Sequence, residues 1–274
     1  CALPISVAQA ARARGVAQRV TLWARRTETR LTLRGQPWCD AVAESAAEAV
    51  RTTSLVVIAA PVDRIVPLVR EIASSLPPGA IVTDVGSVKA EICRLASAAL
   101  PTGTHFIGSH PMAGSEKTGW EHSTTGLFQQ RTCFVTPLAG SDANAAATVS
   151  AFWRDLGAEP DCVAPAQHDE IVAHISHLPQ VLASTLCAFL ASKDASWRDC
   201  AGGGLRDTTR IAGSDPQLWR TILEQNREEV LRAMTGFESE LRVLRSALTA
   251  GDYATVTALL ERGRAYRTQF RTTL

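Results

Sequence analysis

Residues 54–87 read SLVVIAAPVDRIVPLVREIASSLPPGAIVTDVGS, and this stretch decides the fold. It opens on SLVVIAAP (54–61), a continuous apolar run stopped by proline. A run that is apolar at every position fits a strand buried on both faces, as in a parallel sheet between two helical layers. A helix follows over 63–75, and AIVTDVGS (80–87) is the next strand. Strand, helix and strand joined by short turns make a βαβ unit.

Outward from this unit the alternation continues. Ser6 to Arg14 is helical, with Gly15 placed as its C-terminal stop, and VTLWA (20–24) reads as a short strand. A helix is expected through AVAESAAEAV (41–50). Downstream come a helix from Val88 to Leu100, strands at THFIGSH (104–110) and RTCFVTPL (131–138), a helix over 141–156 and a short strand near Cys162. The fold class is therefore α/β, a doubly wound parallel sheet. After Pro165 the texture becomes helical. HDEIVAHISHLPQVLASTLCAFLASK (168–193) is apolar nearly all round and reads as a buried helix kinked at Pro179. SDPQLW (214–219) starts another helix, with Ser or Asp as cap and Pro in the first turn. Val230, Met234, Phe237, Leu241, Leu244 and Leu248 recur at steps of four and three, a seam made to pack against a partner helix. A last helix over 252–270 carries Leu259, Tyr266 and Phe270. Two domains result, 1–164 and 165–274.

The bulk numbers agree with a globular protein of ordinary balance: 274 residues, 46% hydrophobic and 20% charged, with a formal net charge of +1. That charge excludes the basic field of a nucleic-acid binder. No apolar run approaches the roughly 20 residues needed to span a bilayer, so no membrane partner is expected. Seven cysteines stand at 1, 39, 93, 133, 162, 187 and 200 without a C-x-x-C, a pattern of reduced thiols in a cytoplasmic protein. The chain opens on CALPIS with no initiator Met. Cys-Ala-Leu-Pro-Ile matches the translated end of a common sequencing-library adapter, so the first five residues are expected to be foreign and the native N-terminus missing.

A doubly wound sheet holds its ligand at the carboxyl ends of the strands. There the chain places Ala60-Pro61, then Asp84 to Lys89 (DVGSVK), then Ser109 to Glu116. His110 lies among them, either as reacting group or as a strand-end residue bonded to backbone. The G-x-G-x-x-G of dinucleotide sites is absent, as is the whole segment, first strand included, that should precede Ser6. After the second strand, where an NAD site carries an acid for the ribose hydroxyls, this chain reads Trp23-Ala24-Arg25-Arg26. Two guanidiniums can grip a 2′-phosphate, which favours NADP with NAD possible; a solvated basic turn is the alternative. In AGGGLRDTTRIAGSDPQLW (201–219), Asp207 and Arg210 are three apart and could pair, holding the guanidinium toward a ligand carboxylate, or could form a plain surface ion pair. His174 and His177 are also three apart, but with no H-E-x-x-H and no third ligand no metal is expected.

GSVK (86–89), SHPMAGSE (109–116), SHLPQ (176–180) and GGGLRDTTRIAGSDPQLW (202–219) together closely resemble the prephenate and arogenate dehydrogenases of tyrosine biosynthesis. The resemblance implies a Rossmann domain followed by an all-helical domain that dimerises. It implies oxidative decarboxylation: the C4 carbinol gives hydride to a nicotinamide at Ala60, Pro61 and Ser87, and the ring carboxylate leaves as CO2. On that pattern His110 takes the C4 hydroxyl proton, and Ser87 touches the hydroxyl and the nicotinamide end. Arg210 binds the substrate carboxylate with Asp207 orienting it. His177 falls on a substrate-pocket histidine, Ser115 and Glu116 line the entrance, and Ser214 and Trp219 are pocket-adjacent. Prephenate is the expected substrate and arogenate the close second; an NADP-sensing dimer without turnover is the non-enzyme alternative. The family's acid after the second strand is replaced here by Ala24, Arg25 and Arg26, and its glycine fingerprint is not in the chain.

Overall fold

The computed structural model describes residues 3–113 and 123–270. It divides into two compact units, Cys1–Asn226 and Arg227–Leu274.

The first unit opens with α1 (Leu3–Ala13), stopped by Gly15 at φ 69°. A left-handed residue at that place is where glycine costs least. Then come β1 (Thr21–Leu22), α2 (Thr27–Leu33), β2 (Ala41–Val42), α3 (Ala46–Val50), β3 (Leu55–Ile58), α4 (Val62–Ile72), β4 (Ile81–Asp84) and α5 (Ala90–Ala99). The helix expected through 41–50 is thus a strand followed by a short helix. Ala41 and Val42 pair in parallel with Thr21 and Leu22, and Ser45 caps α3 by accepting from the Glu48 N–H at 3.1 Å. That cap halts the helix before it can reach the strand.

The chain continues through β5 (His105–Phe106), β6 (Gly108–Pro111), β7 (Thr132–Thr136), α6 (Ala143–Asp155) and β8 (Glu159–Cys162). β3, β4 and β5 are parallel neighbours, and β6, β7 and β8 form a second ladder. β6 and β7 are antiparallel, a departure from the all-parallel expectation, while β7 and β8 are parallel across the α6 crossover. A parallel pair needs such a crossover; an antiparallel one does not.

Alternating side chains of the strands serve two layers. Val56, Ile58, Val82 and Phe106 pack with α3, α4 and α5, whereas Leu55, Val57, Ile81 and Ile107 pack with α1 and α6 around Trp153. Burial on both faces is what the unbroken apolar runs encode.

The rest of this unit is helical: α7 (Pro165–Val172), α8 (Leu178–Ala191), α9 (Gly203–Thr209) and α10 (Pro216–Gln225). Residues 173–177 form a π turn between α7 and α8. Pro179 has no N–H for the carbonyl one turn back, so the helix widens just before it rather than kinking at the proline itself. Asp215 caps α10, accepting from the Gln217 N–H at 2.9 Å, with Pro216 in the first turn. The run is not buried all round, since Ile175 and Phe189 are exposed. Among the described residues Pro165–Ala191 is also long and apolar enough to cross a bilayer by length and composition, where the sequence reading found no such run. Its buried His168, Asp169 and His177 are nonetheless bonded within this unit, as described below.

The second unit is a helical hairpin of α11 (Arg227–Ala250) and α12 (Tyr253–Thr268). Gly251 turns the chain at φ 70°, Asp252 caps α12 by accepting from the Thr255 N–H at 3.1 Å, and Arg262 bonds Glu240 at 2.8 Å. Along the seam Val230 is buried, while Phe237, Leu241 and Leu248 are exposed.

Candidate active site

The site is built where β4 and β6 end. Asp84, the last residue of β4, is fully buried with its carboxylate turned back into the following loop. It accepts from the Gly86 N–H at 2.8 Å and the Ser109 N–H at 3.3 Å, and it pairs with the buried ammonium of Lys89. The two buried charges are thus paired, and the carboxylate has two main-chain donors besides, the condition under which such a pair is tolerated. The arrangement shapes the loop that holds Ser87 half-buried. It also anchors β6, because Ser109 Oγ donates to the Asp84 carbonyl at 2.5 Å and accepts from Trp153 Nε1 at 2.9 Å.

His110, next along β6, is half-buried. Its Nδ1 lies 2.9 Å from Nε2 of His168 on α7. His168 is fully buried, edge-on to Phe134 at 5.2 Å, and its Nδ1 lies 2.8 Å from Asp169 Oδ1. Asp169 in turn accepts from the Lys89 and Ala90 N–H groups at 2.7 and 2.8 Å, so it caps the start of α5. Asn226 donates from Nδ2 to the Asp169 carbonyl at 2.9 Å and to His177 Nδ1 at 3.1 Å. His177, at the end of the π turn, is fully buried, its ring edge-on to Trp219 at 5.9 Å. Since its Nδ1 accepts, its Nε2 carries the proton, and that buried N–H has no partner among the described residues. Gln180 is buried likewise, its Nε2 bonded to Ser184 and its Oε1 without a partner among them.

These rings are held neutral. Desolvation, followed by the charges of His168, Lys89 and His177, pushes the His110 pKa well below its usual value. Burial lowers His168, against the opposing pull of Asp169, and takes His177 down to about 4. An imidazole without a proton on one nitrogen is a base; one with a free N–H is a donor.

The other expected site residues fall as follows. Ala60 and Pro61 lie beyond the carboxyl end of β3, Pro61 at the N-cap of α4. Arg25 and Arg26 are exposed beyond β1, with Arg26 at the position before the first turn of α2. Their turn is fixed by Arg30, which donates to the carbonyls of Ala24 at 2.8 Å and Arg25 at 3.2 Å. The carboxyl ends of parallel strands are where such folds hold a dinucleotide. Asp207 on α9 and Arg210, which opens the next turn, are both exposed, and that turn packs on α8. Ser214 closes the turn by donating to the Ile211 carbonyl at 2.8 Å. His174 is exposed and bonded to the Glu170 carbonyl, away from the cluster. Ser115 and Glu116 lie outside the described residues.

Sequence reasoning passed over His168, Asp169, Asn226 and Gln180. The His-Asp pair at 168–169 was a visible signal inside an apolar helix, but only the fold brings it to His110.

A doubly wound sheet presenting a nucleotide edge beside a buried histidine cluster defines an NAD(P)-linked two-domain oxidoreductase. Residues 7–160 match the family model for the nucleotide-binding domain of prephenate dehydrogenase, and residues 164–262 match that for its dimerization domain. The chain belongs to the prephenate dehydrogenase family. It is 32% identical to the cyclohexadienyl dehydrogenase of Zymomonas mobilis over 221 residues, 78% of this chain and 75% of that protein. The crystal structure of Aquifex aeolicus prephenate dehydrogenase with hydroxyphenyl propionate and NAD+ is similar at a TM-score of 0.91 and 27% identity, covering 98% of this chain and 94% of that one. Synechocystis arogenate dehydrogenase is similar at a TM-score of 0.84 and 25% identity, covering 97% and 96%.

Proposed function

We propose that this chain oxidatively decarboxylates prephenate to 4-hydroxyphenylpyruvate, with His110 as the base. The observation that carries the reading is the bond from His110 Nδ1 to His168, which leaves the other ring nitrogen for a substrate. A nicotinamide held by Ala60, Pro61 and Ser87 would accept the C4 hydride. The hydroxyl proton goes to His110 Nε2 as the C4–O bond becomes a carbonyl. The bond to the ring carboxylate breaks, CO2 leaves, and the electron pair left behind makes the ring aromatic. Ser87 bonds the same hydroxyl and keeps it facing the base. His177 Nε2–H, a buried donor without a partner among the described residues, offers a bond to a substrate oxygen, and Trp219 walls its ring. Arg210 binds the side-chain carboxylate with Asp207 beside it, and Ser214 lines the approach.

We assign NADP as the preferred dinucleotide, on the two exposed guanidiniums of Arg25 and Arg26 where an acid would repel a 2′-phosphate. The helical domain, 165–274, is the homodimer's, and the nucleotide domain is 1–164. The described cysteines are free thiols, which fits the cytoplasm. Arogenate is the second substrate to test, because both a cyclohexadienyl and an arogenate dehydrogenase are among the similar proteins.

The test follows NADPH and NADH formation with prephenate and with arogenate, beside His110→Asn and Arg210→Gln. His110→Asn should mainly lower kcat and Arg210→Gln mainly raise KM. Equal and mild effects of both would overturn the reading.

A further inference from the structure

We propose that His168 and Asp169 are positioning residues: they hold His110 as its Nδ1–H tautomer, with Nε2 bare toward the substrate. The inference rests on the reading of His110 as base and adds what keeps that base in its working form.

The chain of bonds starts at Asp169. Its oxygens lie against two backbone N–H groups, Lys89 at 2.7 Å and Ala90 at 2.8 Å, and against His168 Nδ1 at 2.8 Å. A carboxylate accepting from two main-chain donors is ionised and can only accept. His168 Nδ1 must therefore carry the hydrogen. His168 is fully buried against Phe134, a setting that favours the neutral ring, so its Nε2 is bare. The nitrogen facing that lone pair, His110 Nδ1 at 2.9 Å, must then donate. A neutral imidazole has one hydrogen, so His110 Nε2 is left as the lone pair. The same bond blocks the ring flip, which would set a carbon against His168. When His110 gains a proton at Nε2, its Nδ1–H keeps its acceptor, and the new charge faces Asp169 through His168.

The chain is built across three elements, β6, α7 and the start of α5, and the carboxylate at its end is fixed by main chain rather than by a mobile side chain. That is the logic of a carboxylate orienting a histidine base, where the wrong tautomer lowers turnover by about 10⁴-fold in the Ser-His-Asp triads.

The test uses the full chain, wild type and four variants, with nitrogen-15-labelled histidine. In the substrate-free wild type, His110 should show a protonated Nδ1 and a bare Nε2. Asp169→Asn keeps an oxygen for α5 but presents an amide N–H to His168, which should reverse both tautomers in turn. His168→Phe should lower kcat about 10²- to 10⁴-fold with KM little changed. His168→Gln should recover part of that loss, because its amide can donate to Asp169 and accept from His110. A wild-type His110 protonated at Nε2 would overturn the proposal. So would folded His168→Phe and Asp169→Asn proteins that turn over at the wild-type rate, while His110→Asn does not. If His110→Asn itself retains turnover, the reading of His110 as base fails instead; the tautomer measurement identifies that case separately.

Discussion

At the scale of single residues, the dominant fact is three imidazoles kept from protonating. The ordinary histidine pKa is near 6.5, and an unfolded chain returns each ring to about that value. In the folded protein burial takes His177 to about 4 and moves His168 and His110 in the same direction. Between these values the unfolded state binds protons that the folded state does not. Stability is therefore fully present above about pH 6.5 and falls as pH drops through the window toward about 4, by up to about 1.4 kcal/mol per pH unit for each ring. Urea titrations at about pH 7.5 and about pH 5 should give a clearly lower midpoint at the acid value, and His177→Asn should flatten that slope. A wild-type midpoint unchanged between the two would contradict it. Turnover carries the same sign: His110 acts only when neutral, so the acid limb of kcat/KM should lie below the ordinary histidine range.

At the scale of elements, the placing of β6 depends on one absent side chain. A Cβ on Gly108 would stand 2.5 Å from both Cys93 Sγ on α5 and Thr136 Oγ1 on β7, with Lys89 Cδ at 3.2 Å. Gly108→Ala must push the strand away from α5 or β7, at a cost of about 1–3 kcal/mol. Because His110 is two residues on, turnover should fall with stability; an unchanged melting temperature would show that the packing yields. The elements also show what was legible beforehand. Residues 55–60 are apolar at every position and 80–82 open a second such strand, and burial on two faces leaves few other readings. β2 is two residues long and exists because Thr21 and Leu22 pair with it, a fact no periodicity carries. His110 could be suspected from its place at a strand end. His168 stands out beside Asp169 in an apolar helix, but its pairing with His110, 58 residues away, is carried by no local pattern. The π turn that aims His177 into the cluster is likewise a consequence of Pro179, visible only as a break.

At the scale of the whole molecule, the family model over residues 164–262 is a dimerization domain, and the long hairpin shows why such a domain would need a partner. Phe237, Leu241 and Leu248 on α11 and Leu260 and Tyr266 on α12 are exposed, Leu241 and Leu248 each at 53%. Scattered apolar residues on a surface need no account, but a row of them along one helix does. The row repeats at the steps of a packing seam, and charges such as Glu240 and Arg262 are tied to each other beside it. A second copy of the same row satisfies it with the self-complementary contact that two-fold symmetry provides. Sedimentation of the wild type at micromolar concentration should therefore give a dimer. Leu241→Glu would bury a charge against its own copy, so it should shift the species toward monomer while leaving the helical signal intact. A wild-type monomer would refute the seam as an interface, and a Leu241→Glu dimer of undiminished affinity would place the contact elsewhere on the domain.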